Sequence, residues 1–122
     1  MRVLIVDDSR SMRAILRGHM EGLGFECQEA ADGQQALDRL KEGQPFDLAL
    51  VDWNMPVLNG LETIKALRGL GYGDMKVMMV TTEFDHDFIV QALDAGADEY
   101  LMKPFDEDAL MEKLSLLGIE GL

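Results

Sequence analysis

Polar residues stand immediately after four short apolar runs: Asp7-Asp8 after Val3-Leu4-Ile5-Val6, Asp52 after Leu48-Ala49-Leu50-Val51, Thr81 after Lys76 to Val80, and Lys103 after Tyr100-Leu101-Met102. Three carboxylates, a hydroxyl and an ammonium form a set with definite chemistry if the chain gathers them. Crowded carboxylates repel one another and invite a hard cation with oxygen ligands. Mg2+ fits, because it takes few protein carboxylates and keeps positions for water and phosphate. A lysine and a threonine hydroxyl beside such a cation suit the oxygens of a phosphoryl group. The acceptor would then be a carboxylate, since no suitable Cys, Ser or His stands beside these residues. Asp7 and Asp8 are adjacent and suit metal binding, whereas Asp52 stands alone at the end of its strand and is the candidate phosphoryl nucleophile.

The elements that must position these residues follow from apolar patterning. Val3 to Val6 and Leu48 to Val51 are nearly continuous apolar runs, as expected of parallel strands covered on both faces. Phe25 to Ala30 alternates and is predicted to be an edge strand; Lys76 to Val80 and Tyr100 to Met102 complete five. Between them lie helical patterns: Met12, Ile15, Leu16, Met20 and Leu23 from Ser11 onward, Ala36, Leu37 and Leu40 after the Asp32-Gly33 turn, and Leu61, Ile64 and Leu67 after Asn59-Gly60. Phe84 to Ala95 is predicted to be a helix closed by Gly96, and a last helix bears Ala109, Leu110, Leu114 and Leu117 behind Asp106 as N-cap. Strict alternation predicts an α/β fold: a parallel sheet with right-handed crossovers and helices on both faces. All four polar strand ends then share the carboxyl rim, where such sheets bind ligands.

Bulk properties narrow the function further. With 122 residues the expected organisation is one domain over 1–122, large enough to bury a core unaided. Twenty-three acidic against 11 basic residues give a formal charge of −12, which repels nucleic acid and anionic membrane surfaces. No apolar run approaches a membrane span, and Asp7-Asp8 ends the first apolar stretch too early for a signal peptide. Cys27 has no partner; it is expected to be a small buried hydrophobe in a reducing, cytoplasmic setting. The nine methionines read as core filler and loop residues, and neither His19 nor His86 has a cluster around it.

The segments VLIVDDS, LVDWNMPVLNG, VTTE and YLMKPF stand in the order and spacing of the response-regulator receiver family, which the chain resembles along its whole length. The resemblance implies a flavodoxin-like five-stranded sheet of order 2-1-3-4-5. It implies that Asp7, Asp8, Asp52 and the Asn54 main-chain carbonyl bind Mg2+, and that a histidine kinase or phosphotransfer protein phosphorylates Asp52. Such a protein is not a conventional enzyme; it takes the group from a donor and loses it by autodephosphorylation. Lys103 and Thr81 would contact the phosphoryl oxygens, Asn54 and Glu83 would tune attack by water, and the Pro104 bond is expected to be cis. Thr82 departs from the small residue usual after Thr81 and is expected to narrow access. Trp53-Asn54, Glu83, Tyr100 and Lys103-Pro104-Phe105 match the stand-alone chemotaxis subtype. There the docking face is built from the fourth helix, fifth strand and fifth helix, and the target is a protein such as a flagellar motor switch component. Phosphorylation is expected to draw Thr81 toward Asp52, opening space into which Tyr100 turns.

Rival readings are weaker. A Mg2+-dependent phosphatase with an aspartyl-phosphate intermediate would want an Asp-x-Asp pair after the first strand and a substrate-enclosing cap, whereas the aspartates here are adjacent. A flavin carrier would need an uncharged phosphate loop where Asp7-Asp8 stands. A receiver cut from a larger regulator stays open at the C-terminus, while Met1 favours an intact N-terminus.

Overall fold

A computed structural model describes residues 1–43 and 45–119. In chain order the elements are β1 (Arg2–Val6), α1 (Arg10–Gly22), β2 (Glu26–Ala30), α2 (Gly33–Lys41), β3 (Leu48–Val51), α3 (Gly60–Gly69), β4 (Lys76–Thr81), α4 (His86–Ala95), β5 (Glu99–Met102) and α5 (Glu107–Leu116). The strands are all parallel, in the order β2-β1-β3-β4-β5. The expected fold and strand order are both present. β3 is buried at every position, which is why its sequence is a continuous apolar run, while the edge strand β2 is wholly buried only at Ala30.

Element boundaries moved where local hydrogen bonding outweighed apolar periodicity. α1 starts at Arg10 because the Ser9 side chain accepts the Met12 N–H at 3.2 Å. α4 starts at His86 rather than Phe84, and Asp85 occupies its N-cap position without a side-chain cap bond. Phe25 precedes β2, its N–H donating to the Met20 carbonyl, and its ring is buried. Cys27 is only half-buried, contrary to expectation, because it sits on the edge strand.

The sheet is packed by two separate apolar clusters. One joins Leu4, Val6, Val51, Trp53, Met79 and Tyr100 to residues of α2, α3 and α4; the other joins Ile5, Leu50 and Leu101 to residues of α1 and α5. α3 reaches the end of β3 closely: the Gly60 N–H donates to the Trp53 carbonyl at 2.8 Å, and a Cβ at Gly60 would stand 2.3 Å from the Asp52 carbonyl oxygen. Only glycine fits there. An Asn59–Glu62 capping box starts the same helix. No described helix is long and apolar enough to cross a membrane.

The opposite end of the sheet is held by Arg68. Its guanidinium donates to the carbonyls of Tyr72 (2.6 Å), Met75 (2.7 Å) and Gly96 (2.8 Å) and pairs with Asp98 at 3.0 Å. Asp98 in turn accepts the Val77 N–H at 2.9 Å. Arg68→Ala therefore strips several carbonyls of one charged donor and is expected to cost about 2–4 kcal/mol. A lower urea midpoint with an unchanged slope is the expected result; an unchanged midpoint would show that water replaces the staple.

Candidate functional site

The strand ladder itself assembles the rim. Val6 pairs with Val51, so Asp7 and Asp52 follow side by side, and the Asp52 N–H donates to the Val6 carbonyl at 2.9 Å. Thr81 pairs with Met102, and the Lys103 N–H donates to the Thr81 carbonyl at 2.9 Å. One carboxylate oxygen from each of Asp7, Asp8 and Asp52 falls within 4.8 Å of the others. Asp7 is 1% exposed and Asp52 9%, whereas Asp8 faces solvent. Two buried acids and an open third make a receptive site for a hard cation with several water ligands, so the donor set fits Mg2+.

Lys103 is the counter-ion inside this cluster. Its Nζ lies 2.7 Å from Asp7 Oδ2 and 3.5 Å from Asp52 Oδ2. The other Asp7 oxygen accepts the Ser9 N–H at 2.8 Å, and Asp52 Oδ1 accepts the Trp53 N–H at 2.7 Å. Burial pushes the Asp52 carboxyl above its ordinary range and the Asp7 charge adds to that, while Lys103, the Thr81 hydroxyl and the Trp53 N–H work against it. Thr81 is fully buried, its Oγ1 accepting the Glu83 N–H at 3.3 Å; Thr82 is exposed beside it. The Lys103–Pro104 peptide bond is cis, as expected.

Tyr100 is 7% exposed and packed in the cluster with Trp53, and its hydroxyl donates to the Glu83 carbonyl. Burial raises its phenol to about 12, with the charges of Glu83 and Asp52 adding to the shift.

Three contacts were not legible in the residues alone. Asn54 Nδ2 donates to Glu83 Oε1 at 2.7 Å, tying the loop after β3 to the loop after β4. The Trp53 ring meets Phe88 of α4 edge-on at 4.7 Å between centroids, so the loop after β3 touches that helix directly. On α1, Arg13 donates to the Asp7 carbonyl at 2.6 Å while pairing with Glu29 at 3.0 Å, fixing the backbone beneath the acid pair. Only the helical spacing of Arg13 and Arg17, which share Glu29, hinted at the last of these.

A five-stranded doubly wound sheet with an acid trio, a threonine and a lysine on its carboxyl rim defines a phosphoacceptor receiver. The family profile for the response regulator receiver domain matches residues 3–115, and the chain belongs to that family. Within it, the chain is 41% identical over 116 residues to the chemotaxis protein CheY homolog of Campylobacter jejuni, covering 93% of this chain and 89% of that one. It is 36% identical over 119 residues to chemotaxis protein CheY1 of Helicobacter pylori, covering 96% of each chain. The crystallised chemotaxis protein CheY4 of Vibrio cholerae superposes with a TM-score of 0.88 at 35% identity, covering 94% of this chain and 96% of that one. The chain is therefore a CheY-like receiver, a member of a family of two-component signalling switches rather than of conventional enzymes.

Proposed function

We propose that the whole chain, 1–122, acts as a cytoplasmic phosphorylation switch in chemotaxis, receiving its phosphoryl group on Asp52 from a histidine kinase or phosphotransfer protein. The observation that carries this reading is the position of Asp52, within 4.8 Å of two further carboxylates and 3.5 Å from the Lys103 ammonium. An Asp52 carboxylate oxygen attacks phosphorus, the bond from phosphorus to the donor breaks, and the donor leaves with that electron pair. Asp7, Asp8, Asp52 and the Asn54 carbonyl would hold Mg2+, which offsets the charge of the phosphoryl oxygens when bound. Lys103 offers those oxygens a second cation and Thr81 a hydroxyl donor. Asn54 and Glu83, already joined to each other, stand where they would govern the approach of water. Intact mass after treatment with acetyl phosphate tests the reading: one phosphoryl adduct with Mg2+ and none with chelator is expected, and no adduct under either condition would refute it.

The signal would leave through α4, β5 and α5, toward a downstream protein such as a flagellar motor switch component. Phosphorylation is read as biasing an existing two-state equilibrium of Tyr100, by drawing Thr81 toward the new oxygens. Thr81→Ala is expected to be labelled on Asp52 yet to show less than about half of the wild-type amide-shift changes in α4 and β5 when beryllofluoride is added. A full wild-type response in that variant would remove Thr81 from the coupling.

A further inference from the structure

We propose that the docking face of this receiver selects a basic amphipathic segment of its protein partner and rejects an acidic one. The proposal rests on the docking face named above and adds the chemistry of what binds there. A groove of about 370 Å3 runs between β5 and α5, its lining including Tyr100, Met102, Pro104 and Phe105 and one residue of each charge, Asp106 and Lys113. Apolar side chains also stay exposed along the elements of this face: Met102 (47%) on β5, Leu93 (46%) on α4, Leu116 (66%) on α5 and Phe84 (63%) before α4. Such a surface suits the apolar stripe of a helix.

Charge decides the polar face of that helix. Residues 83–122 hold eleven of the 23 acidic residues and only two of the 11 basic ones. Those two are committed, Lys103 to Asp7 at 2.7 Å and Lys113 to Glu99 at 3.1 Å. Asp85, Asp87, Asp94, Asp106, Asp108 and Glu112 are exposed, and none forms an ion pair among the described residues. Some of this charge serves the helices, since Asp106 caps α5 and Asp108 lies in its first turn. Asp85 makes no side-chain cap bond but stands at the N-cap position of α4, where the dipole favours an anion. Asp94 has no such purpose: it lies in the last turn of α4, where the helix dipole disfavours an anion and no basic residue accompanies it. An excess of nine negative charges over residues 83–122, eleven acidic against two basic, fits a cationic partner on this face and repels an acidic one.

The test uses the full chain with Mg2+ and two synthetic amphipathic peptides that share one leucine stripe, their polar positions filled with Lys in one and Glu in the other. Binding is read by peptide anisotropy and by amide shifts, with and without beryllofluoride, so that charge preference is measured whether or not the site accepts phosphate. The Lys peptide is expected to bind at least about tenfold more tightly and to shift amides of α4, β5 and α5. Because any basic peptide feels the overall charge, two neutralised variants of equal net charge locate the effect. Asp85→Asn with Asp106→Asn, which keeps an N-cap side chain, is expected to weaken binding about five- to tenfold. Asp38→Asn with Asp74→Asn, away from the groove, is expected to change it less than about twofold. Equal or tighter binding of the Glu peptide, equal weakening in both variants, or shifts confined to other elements would overturn the proposal. Intact mass with acetyl phosphate, run in parallel on wild type, reports separately on the phosphorylation reading.

Discussion

Asp52→Asn is expected to carry no phosphoryl adduct after acetyl phosphate and Mg2+, while melting at a higher temperature than wild type in metal-free buffer at neutral pH. The first half follows from chemistry, because an amide is not a nucleophile that forms a stable acyl phosphate. The second follows from the buried carboxylates: Asp52 sits against Asp7, and burial holds its carboxyl above the ordinary range. Between the ordinary value and the raised one, the folded chain binds more protons than the unfolded chain. Stability attributable to Asp52 is therefore greatest at low pH and is lost as pH rises through that window. Asn removes this loss, keeps an oxygen to accept the Trp53 N–H, and leaves Lys103 entirely to Asp7. Melting curves of both proteins from about pH 4 to 8 should converge at the acid end and separate toward neutrality. An adduct of wild-type size on the variant, or a lower neutral melting temperature, would contradict the assignment.

Lys103→Ala is expected to lose about 3–5 kcal/mol in metal-free buffer, because Asp7, 1% exposed, loses its cationic partner at 2.7 Å. Mg2+ should then act as the missing cation. Millimolar Mg2+ is expected to raise the melting temperature of the variant more than that of wild type, since ligand that binds only the folded state stabilises it by mass action. Labelling by acetyl phosphate should persist, but slowly, since the ammonium supports the developing charge without forming the bond. Equal thermal shifts on adding Mg2+ to both proteins would mean that Lys103 and the metal do not share a role.

Asp7, Asp8, Asp52, Thr81 and Lys103 were legible as one site because each follows an apolar run, and parallel strands place such ends on a common rim without any knowledge of side-chain contacts. Strand order came only through resemblance, since alternation fixes handedness and layers but not which strands are neighbours. The contacts of Tyr100 were not legible for a different reason. On a strand, alternation says which residues share a face, yet whether a phenol rests inside depends on a carbonyl such as that of Glu83, seventeen residues earlier in the chain. The Asn54–Glu83 bond and the Trp53–Phe88 contact are of the same kind, for they join loops to elements that meet only once the sheet has formed. α4 began later than the expected Phe84 because apolar periodicity does not mark a helix start, which is set by backbone geometry at Asp85.

The two apolar clusters on opposite faces of the sheet have an evolutionary consequence. Trp53 and Tyr100 belong to the cluster that includes α2, α3 and α4, while α1 and α5 pack in the other. Substitutions in layers that share no partners combine almost additively. Changes in the α1 cluster at positions such as Leu16 and Met20, away from Arg13 and from the α5 side of the groove, can therefore raise or lower stability over generations without disturbing what Tyr100 and α4 convey. Changes around Trp53 and Phe88 can retune the response without eroding that reserve. A lineage built on this chain can drift in hardiness and in signalling along largely separate axes.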